Sequence, residues 1–289
     1  MDFEGKVAVV TGGASGIGFA LAEQAAKRGM TVVLADVEQA ALEDARKRLA
    51  ESGARVEAVR TDVSQPEQIE ALADQAFALG PVGLLCNNAG VNVTVTRSFW
   101  QYSRGDWDWL LGVNLWGVIH GVRTFLPRMM EQSNRSHILN TSSSAGLMAG
   151  PALAIYKVTK HGVLSLSETL YHDLASAKAN VGVSVFCPDV VKTGLRDSGR
   201  NRPAALQDEE PHSPDEAAAE EALRAATGLA PSEAAGIAFE GIEAGRLYLY
   251  TDPGALEFAR SRVADLEAGI PQPNTTLRAD IIPKRDPAP

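Results

Sequence analysis

The sequence predicts an α/β fold, a single Rossmann-like domain built on a doubly wound parallel seven-stranded sheet with helices on both faces. Three observations lead there. Seven short β-branched runs alternate with longer stretches of helical periodicity. The chemistry-bearing motifs fall just after those runs, where open parallel sheets receive ligands. A length of 289 residues with 45% apolar content suits one large core better than two small ones.

In chain order, Val7 to Thr11, Thr31 to Asp36, Val56 to Thr61, Leu84 to Asn87, His137 to Thr141, Val181 to Cys187 and Leu247 to Thr251 read as strands. Between them Gly16 to Arg28, Glu38 to Glu51, Pro66 to Leu79, Asp106 to Glu131 and Tyr156 to Ala177 read as helices, and Ser232 to Glu243 and Gly254 to Leu266 close the series. Pro66, following Ser64, fits a first helical turn. Right-handed crossovers then wind the sheet. Residues 1–270 form the expected domain, with two departures from the pattern. An acidic insertion within 194–231 stands where a lid can hang, or is a solvated surface loop. The tail 271–289 has five prolines in nineteen residues, so it drapes over a neighbour or is disordered.

The net charge of −9 repels phosphate backbones and anionic lipid, which disfavours nucleic acid and membrane as partners and leaves small molecules. Seven of those charges lie in Pro203 to Leu223, which has no Lys or Arg. No run approaches the roughly 18 apolar residues of a membrane span, and the start of the chain lacks a secretory signal; the expected location is cytoplasmic. Cys86 and Cys187 fall on strands separated by a third, beyond disulfide reach, which suits a reducing compartment.

The first strand runs into Thr11-Gly12-Gly13-Ala14-Ser15-Gly16-Ile17-Gly18 and then a helix. Glycines 12, 16 and 18 allow a tight turn and close backbone approach, and the N–H groups of Ser15, Gly16, Ile17 and Gly18 at the helix start attract a pyrophosphate. Asp36, 18 residues past Gly18, is placed to accept hydrogen bonds from adenosine ribose hydroxyls. A 2′-phosphate about 4 Å from that carboxylate would be repelled by roughly 4 kcal/mol at an effective dielectric of 20, and no basic residue stands at Ala14, Ser15 or Val37 to compensate. NAD is therefore the expected cofactor; alternatively Asp36 caps the helix beginning near Glu38. Asp62 and Val63 suit an adenine edge, although Asp62 could equally cap a turn. Asn88, Ala89 and Gly90, after Asn87, leave room for a ribose, though a plain turn looks similar.

The fifth strand ends in Thr141-Ser142-Ser143-Ser144, and the next helix carries Tyr156 and Lys160 four residues apart, on one face. The phenol needs a pKa well below its usual 10 to serve as a base near neutrality, and a nearby ammonium and an oxidised nicotinamide both favour phenolate.

With these motifs in order, the chain resembles the short-chain dehydrogenase/reductase family over roughly residues 5 to 195. The resemblance rests on Gly12, Gly16 and Gly18, Asp62-Val63, Asn88-Ala89-Gly90, Asn114, Ser143 and Tyr156-x-x-x-Lys160. Ser143 is singled out from its neighbours by lying 13 residues before Tyr156. It implies Tyr156 as general acid/base, Ser143 holding the substrate oxygen, Lys160 on the nicotinamide ribose and Asn114 fixing a water that links Lys160 to solvent. Pro188, Val191 and Thr193 would clamp the nicotinamide carboxamide, and Asp189 departs from the glycine usual after that proline. It also implies a homodimer or homotetramer.

The resemblance implies the NAD-dependent interconversion of a secondary alcohol and its ketone, and the long insertion, the altered Pro-Gly and the tail look like family members whose alcohols are bulky or aryl. All four tryptophans lie between Trp100 and Trp116; Phe99 and Trp100 are expected to line the substrate cleft, and Trp107, Trp109 and Trp116 to pack in the core or a subunit contact. A catalytically silent NAD-binding regulator would show a broken Ser, Tyr or Lys, and all three are intact. An epimerase or dehydratase of the family's extended branch differs in glycine spacing and carries a larger C-terminal domain.

Overall fold

A computed structural model describes residues 2–93, 98–150, 152–207 and 228–269. The tail expected at 271–289 lies outside these residues, as does most of the acidic insertion. Strands β1 (Val7–Thr11), β2 (Thr31–Asp36), β3 (Val56–Arg60), β4 (Val82–Asn87), β5 (Ser136–Thr141), β6 (Val181–Cys187) and β7 (Tyr248–Tyr250) form one sheet in the order β3-β2-β1-β4-β5-β6-β7. Every neighbouring pair is parallel. The chain walks outward from β1 to β3, then returns to lay β4 beside β1. That reversal opens a crevice at the carboxyl ends of β1 and β4.

Every side chain of β1, β4 and β5 is buried, because both sheet faces are covered; their sequences are accordingly unbroken runs rather than alternations. On β1, Ala8 and Val10 pack into one layer while Val7 and Val9 pack into the other. The first layer holds α1 (Gly16–Ala26), α2 (Gln39–Glu51) and α7 (Pro231–Glu243), with Phe3 meeting Phe239 edge-on at 5.8 Å. The second holds α3 (Pro66–Leu79), α5 (Gly117–Met130) and α6 (Ala154–Ser176) around Phe125. A large apolar side chain buried this fully contributes about 1.5–3 kcal/mol. Helix α8 (Ala255–Ala268) packs through Ala255 and Phe258 beside β6.

Two expectations shift. The single helix expected over Asp106 to Glu131 is three pieces: α4 (Arg104–Leu110), a π-turn over Leu111–Trp116, and α5. Its start moves back because the Ser103 hydroxyl accepts from the Asp106 N–H at 3.0 Å and the Asp106 carboxylate accepts from the Ser103 N–H at 2.9 Å, closing a capping box. The fourth strand begins two residues early, at Val82, where Gly83 lets the Lys6 side chain lie against the backbone.

Cys86 on β4 and Cys187 on β6 are both free and buried, with β5 between them. Burial pushes both thiols up, Cys187 to about 12. Among the described residues no helix is long and apolar enough to cross a membrane, and no cluster of side chains suits a metal.

Candidate active site

A cleft of about 450 Å³ runs along the carboxyl ends of the strands. Every catalytic and cofactor-binding residue assigned from the sequence borders it except Asn114, which stands behind Gly90.

At one end β1 delivers the glycine turn. A side chain at Gly18 would bring its Cβ within 2.0 Å of the Gly12 carbonyl oxygen, and one at Gly12 within 2.9 Å of the Ala89 backbone. Gly16 adopts φ +54 against the Thr193 methyl, a backbone setting that favours glycine. Ser15 caps α1 without a side-chain hydrogen bond, so the helix N-terminus offers its N–H groups to the cleft. This side-chain-free cradle fits a pyrophosphate.

Thr11 braces the switch point. Its hydroxyl accepts from the Asn88 and Ala89 N–H groups at 2.9 and 3.1 Å and donates to the Cys86 carbonyl at 3.3 Å. The Asn88 amide donates to the Thr11 carbonyl at 3.0 Å and accepts from Thr141 at 3.4 Å. Asn88 thus ties β1, β4 and β5 together and orients the small residues that follow.

Asp36, closing β2, accepts from the Ala14 and Glu38 N–H groups, both at 3.1 Å. Burial pushes its carboxyl up, and these two backbone donors oppose the shift. One oxygen accepts from the glycine turn and the other from the α2 entry, the turn role read from the sequence as the alternative, and the carboxylate also borders the cleft. Asp62 also borders the cleft, but one oxygen accepts from the Ser64 N–H at 3.0 Å and the Ser64 hydroxyl at 2.7 Å. The turn given as the alternative for Asp62 is present. Val63 packs on Gly117.

At the other end α6 presents Tyr156 and Lys160, and the loop after β5 presents Ser143. The Lys160 nitrogen donates to the Thr141 carbonyl at 3.1 Å and lies 5.5 Å from the Tyr156 ring centroid. Burial pushes the phenol up to about 12, opposed by the Ser143 hydroxyl and, more weakly, the Arg196 charge. Burial also pushes Lys160 down to about 8. In the chain without cofactor the burial of the phenol is the largest influence on it. A Cβ on Gly90 would sit 3.4 Å from the Asn114 carboxamide oxygen and 3.7 Å from the Lys160 nitrogen, which places Asn114 beside the lysine. The Asn114 side chain accepts from the Val91 N–H at 2.8 Å and donates to the Val91 carbonyl at 2.9 Å and Thr159 at 3.3 Å. It staples the loop after β4 to α6 from inside the π-turn.

After β6, the Pro188 carbonyl accepts from the Ser144 N–H at 2.9 Å. Asp189 turns toward Ser144, whose hydroxyl donates to its carboxylate at 3.0 Å, while its own N–H donates to Thr251 at 2.9 Å. Its charge still borders the cleft. Val191 bridges to Leu229, closing the base of the acidic insertion. Its first part, a 3₁₀ segment over Gly194–Asn201, passes along the cleft. The Ser198 hydroxyl accepts from the Asn92 N–H at 2.9 Å and donates to the Asn92 carbonyl at 3.1 Å. Arg202 pairs with buried Asp106 at 2.8 Å.

The tryptophan expectation is corrected. Phe99 and Trp100 are exposed and border no part of the cleft; Trp109, buried, does so together with Leu195 and Leu206. Trp109 lies on α4, whose inward face the capping box sets, whereas Trp100 precedes that helix in a short exposed turn. Glu38, Arg200 and Asn201 also border the cleft without having been singled out. They meet across 162 residues of chain, and no local motif marks them.

Residues 6–204 match the family model described as short chain dehydrogenase. Among solved structures, a short chain dehydrogenase/reductase from Burkholderia phymatum in complex with NAD is similar, with 45% identity, a TM-score of 0.91 and coverage of 96% of this chain and 100% of that one. The 1-deoxy-11-beta-hydroxypentalenate dehydrogenase of Streptomyces exfoliatus is 32% identical over 95% of this chain and 94% of its own length. The C alpha-dehydrogenase of a Sphingobium species is 36% identical over 70% and 66% respectively.

Proposed function

The chain belongs to the short-chain dehydrogenase family, and from that membership we propose that it interconverts a bulky, apolar or aryl secondary alcohol and its ketone with NAD. The observation that carries the reading is the pairing, at two ends of one cleft, of a bare glycine cradle beside Asp36 with Ser143, Tyr156 and Lys160 under an apolar wall. Around Tyr156 that wall consists of Val91, Trp109, Leu195 and Leu206, which favours a large apolar substituent over a sugar or a charged chain.

NAD, when bound, supplies or takes up the hydride. Gly12, Ser15, Gly16, Ile17 and Gly18 hold the pyrophosphate, and Asp36 accepts from the adenosine ribose hydroxyls. Asp62 and Val63 flank the adenine, and Asn88, Ala89 and Gly90 flank a ribose. Pro188, Val191 and Thr193 orient the carboxamide. Tyr156 takes the alcohol proton in oxidation and returns it in reduction, while the Ser143 hydroxyl donates to the substrate oxygen as its charge grows. Lys160 holds the nicotinamide ribose, and Asn114 fixes a water that passes the proton toward solvent. The first part of the insertion, residues 194–207, borders the cleft and serves as its cover. The proposal extends to a homodimer or homotetramer, since α6 carries exposed Val158 and Tyr171 and the π-turn before α5 ends in exposed Trp116, and to a cytoplasmic location.

Purified protein incubated with NAD and a panel of alcohols should form NADH with aryl or polycyclic secondary alcohols. Turnover confined to sugars or acyl-carrier thioesters would remove the substrate assignment, and no cofactor turnover with any alcohol would remove the dehydrogenase reading.

A further inference from the structure

Resting on the assignment of the Asp36 end to the adenosine ribose of NAD, we propose that Glu38 sets cofactor choice by engaging the Arg200 guanidinium, which would otherwise receive a ribose 2′-phosphate. Asp36 alone carries the discrimination in the sequence, since no basic residue adjoins it locally. The fold changes that picture by bringing Arg200 in from the segment after β6 to border the same cleft as Asp36 and Glu38.

The contacts of Arg200 are specific. Its Nε donates to Glu38 Oε2 at 3.1 Å and its Nη2 donates to Glu38 Oε1, a two-pronged pairing. Its Nη1 donates to the Asp197 carbonyl at 2.7 Å and, more distantly, to the Gly194 carbonyl at 3.4 Å. Asn201 adds a third donor to the same carboxylate at 2.8 Å. Both donors on the free edge of the guanidinium thus face Glu38. Planar, two-pronged recognition of this kind is what an arginine gives a phosphate as readily as a carboxylate, and an arginine near the end of the second strand is the group that accommodates a 2′-phosphate in dinucleotide folds.

The charges around Arg200 complete the argument: Glu38, Asp36 and Asp197 all act on it, and the Arg200 bond holds Glu38 ionised by lowering its carboxyl pKa. With Glu38 in place, the guanidinium is matched and the local balance at the ribose is negative. With Glu38 neutral, the same guanidinium keeps its charge and gains two donors for another anion. Arg60, exposed and donating to the Val37 carbonyl at 3.3 Å, is a second cation near this end among the described residues, so the test must separate the two.

Dissociation constants for NADH and NADPH, read by titration calorimetry, supply that test without turnover. Glu38→Gln should shift the affinity ratio toward NADPH by about tenfold, Arg200→Gln alone should not, and Glu38→Gln combined with Arg200→Gln should return the ratio to the parent value. A ratio unmoved in Glu38→Gln overturns the inference, as does a gain that persists in the double variant, which would point to Arg60. Asp36→Ala separates the layers: if it relaxes the preference while Glu38→Gln does not, only the role of Glu38 falls. If neither moves the ratio, the ribose assignment falls with it.

Discussion

Lys160 lies one helical turn beyond Tyr156, its nitrogen 5.5 Å from the ring centroid and hydrogen-bonded to the Thr141 carbonyl. The ammonium faces the ring, while the Ser143 hydroxyl acts on the phenol oxygen. Position and proton exchange are thus assigned to different side chains. Tyr156→Phe should lower kcat by about 10²–10⁴, leaving the NADH dissociation constant within a few-fold of the parent and the circular dichroism spectrum unchanged. A variant that turns over at the parental rate would refute the assignment of the proton donor.

The pH dependence follows from the direction of the phenol's shift. Burial pushes Tyr156 up to about 12, so its proton is held across the neutral range until a positive charge is brought beside it. Alcohol oxidation needs the deprotonated phenol and should speed up as pH rises from 7 to 9, whereas ketone reduction, which needs the proton, should stay flat or fall over that interval. Profiles of kcat/KM in both directions provide the check, and oxidation that slows between those values would contradict the assignment.

Stability should respond to Lys160 in the opposite sense from activity. Its folded pKa is about 8 against roughly 10.4 for a free lysine, so the unfolded chain binds more protons between those values and stability rises with pH there. The burial penalty is full below pH 8. Lys160→Met should abolish turnover yet stabilise the fold at pH 7 by about 1–2 kcal/mol, the penalty of roughly 3 kcal/mol being partly offset by the lost bond to Thr141. The gain should vanish near pH 10. Urea melts at several pH values measure it, and parallel pH curves for parent and variant would show that the lysine's charge carries no such cost.

Arg202 and Asp106 form an ion pair in which the carboxylate is fully buried and the guanidinium nearly so. Removing the cation strands an anion away from water, which is far more costly than losing an exposed pair. Arg202→Ala should cost about 3 kcal/mol by urea denaturation, and it should free the segment over Gly194–Asn201, raising KM for alcohol more than it lowers kcat. A loss below about 0.5 kcal/mol, typical of a surface pair, would mean that the pair is solvated.

The strand ends and their motifs were legible because each combines an unbroken apolar run with a turn whose residue types answer a local steric or polar demand. Gly18, facing the Gly12 carbonyl, is one such demand. The π-turn at Leu111–Trp116 was not legible, since it changes the hydrogen-bond pattern over one turn while the residues on either side keep helical patterns that read as one helix. Trp109 and Trp100 carry the same residue type within ten positions, and only the tertiary placement of α4 against the preceding 3₁₀ turn separates the buried one from the exposed one. The Glu38–Arg200 contact joins residues 162 apart; it depends on how the segment after β6 crosses the cleft, which no short window encodes. The burial of Tyr156 was not legible for a related reason: helical spacing reveals a neighbouring charge but not the depth of burial that raises the phenol's pKa.

Cys86 and Cys187 have a practical corollary. A thiol reacts as its thiolate, and burial disfavours that form at both positions. Maleimide or iodoacetamide reagents at neutral pH should therefore leave the folded chain unlabelled, with adducts appearing by mass spectrometry only after denaturation. A single cysteine introduced on the surface can then carry a fluorophore without first replacing the native pair.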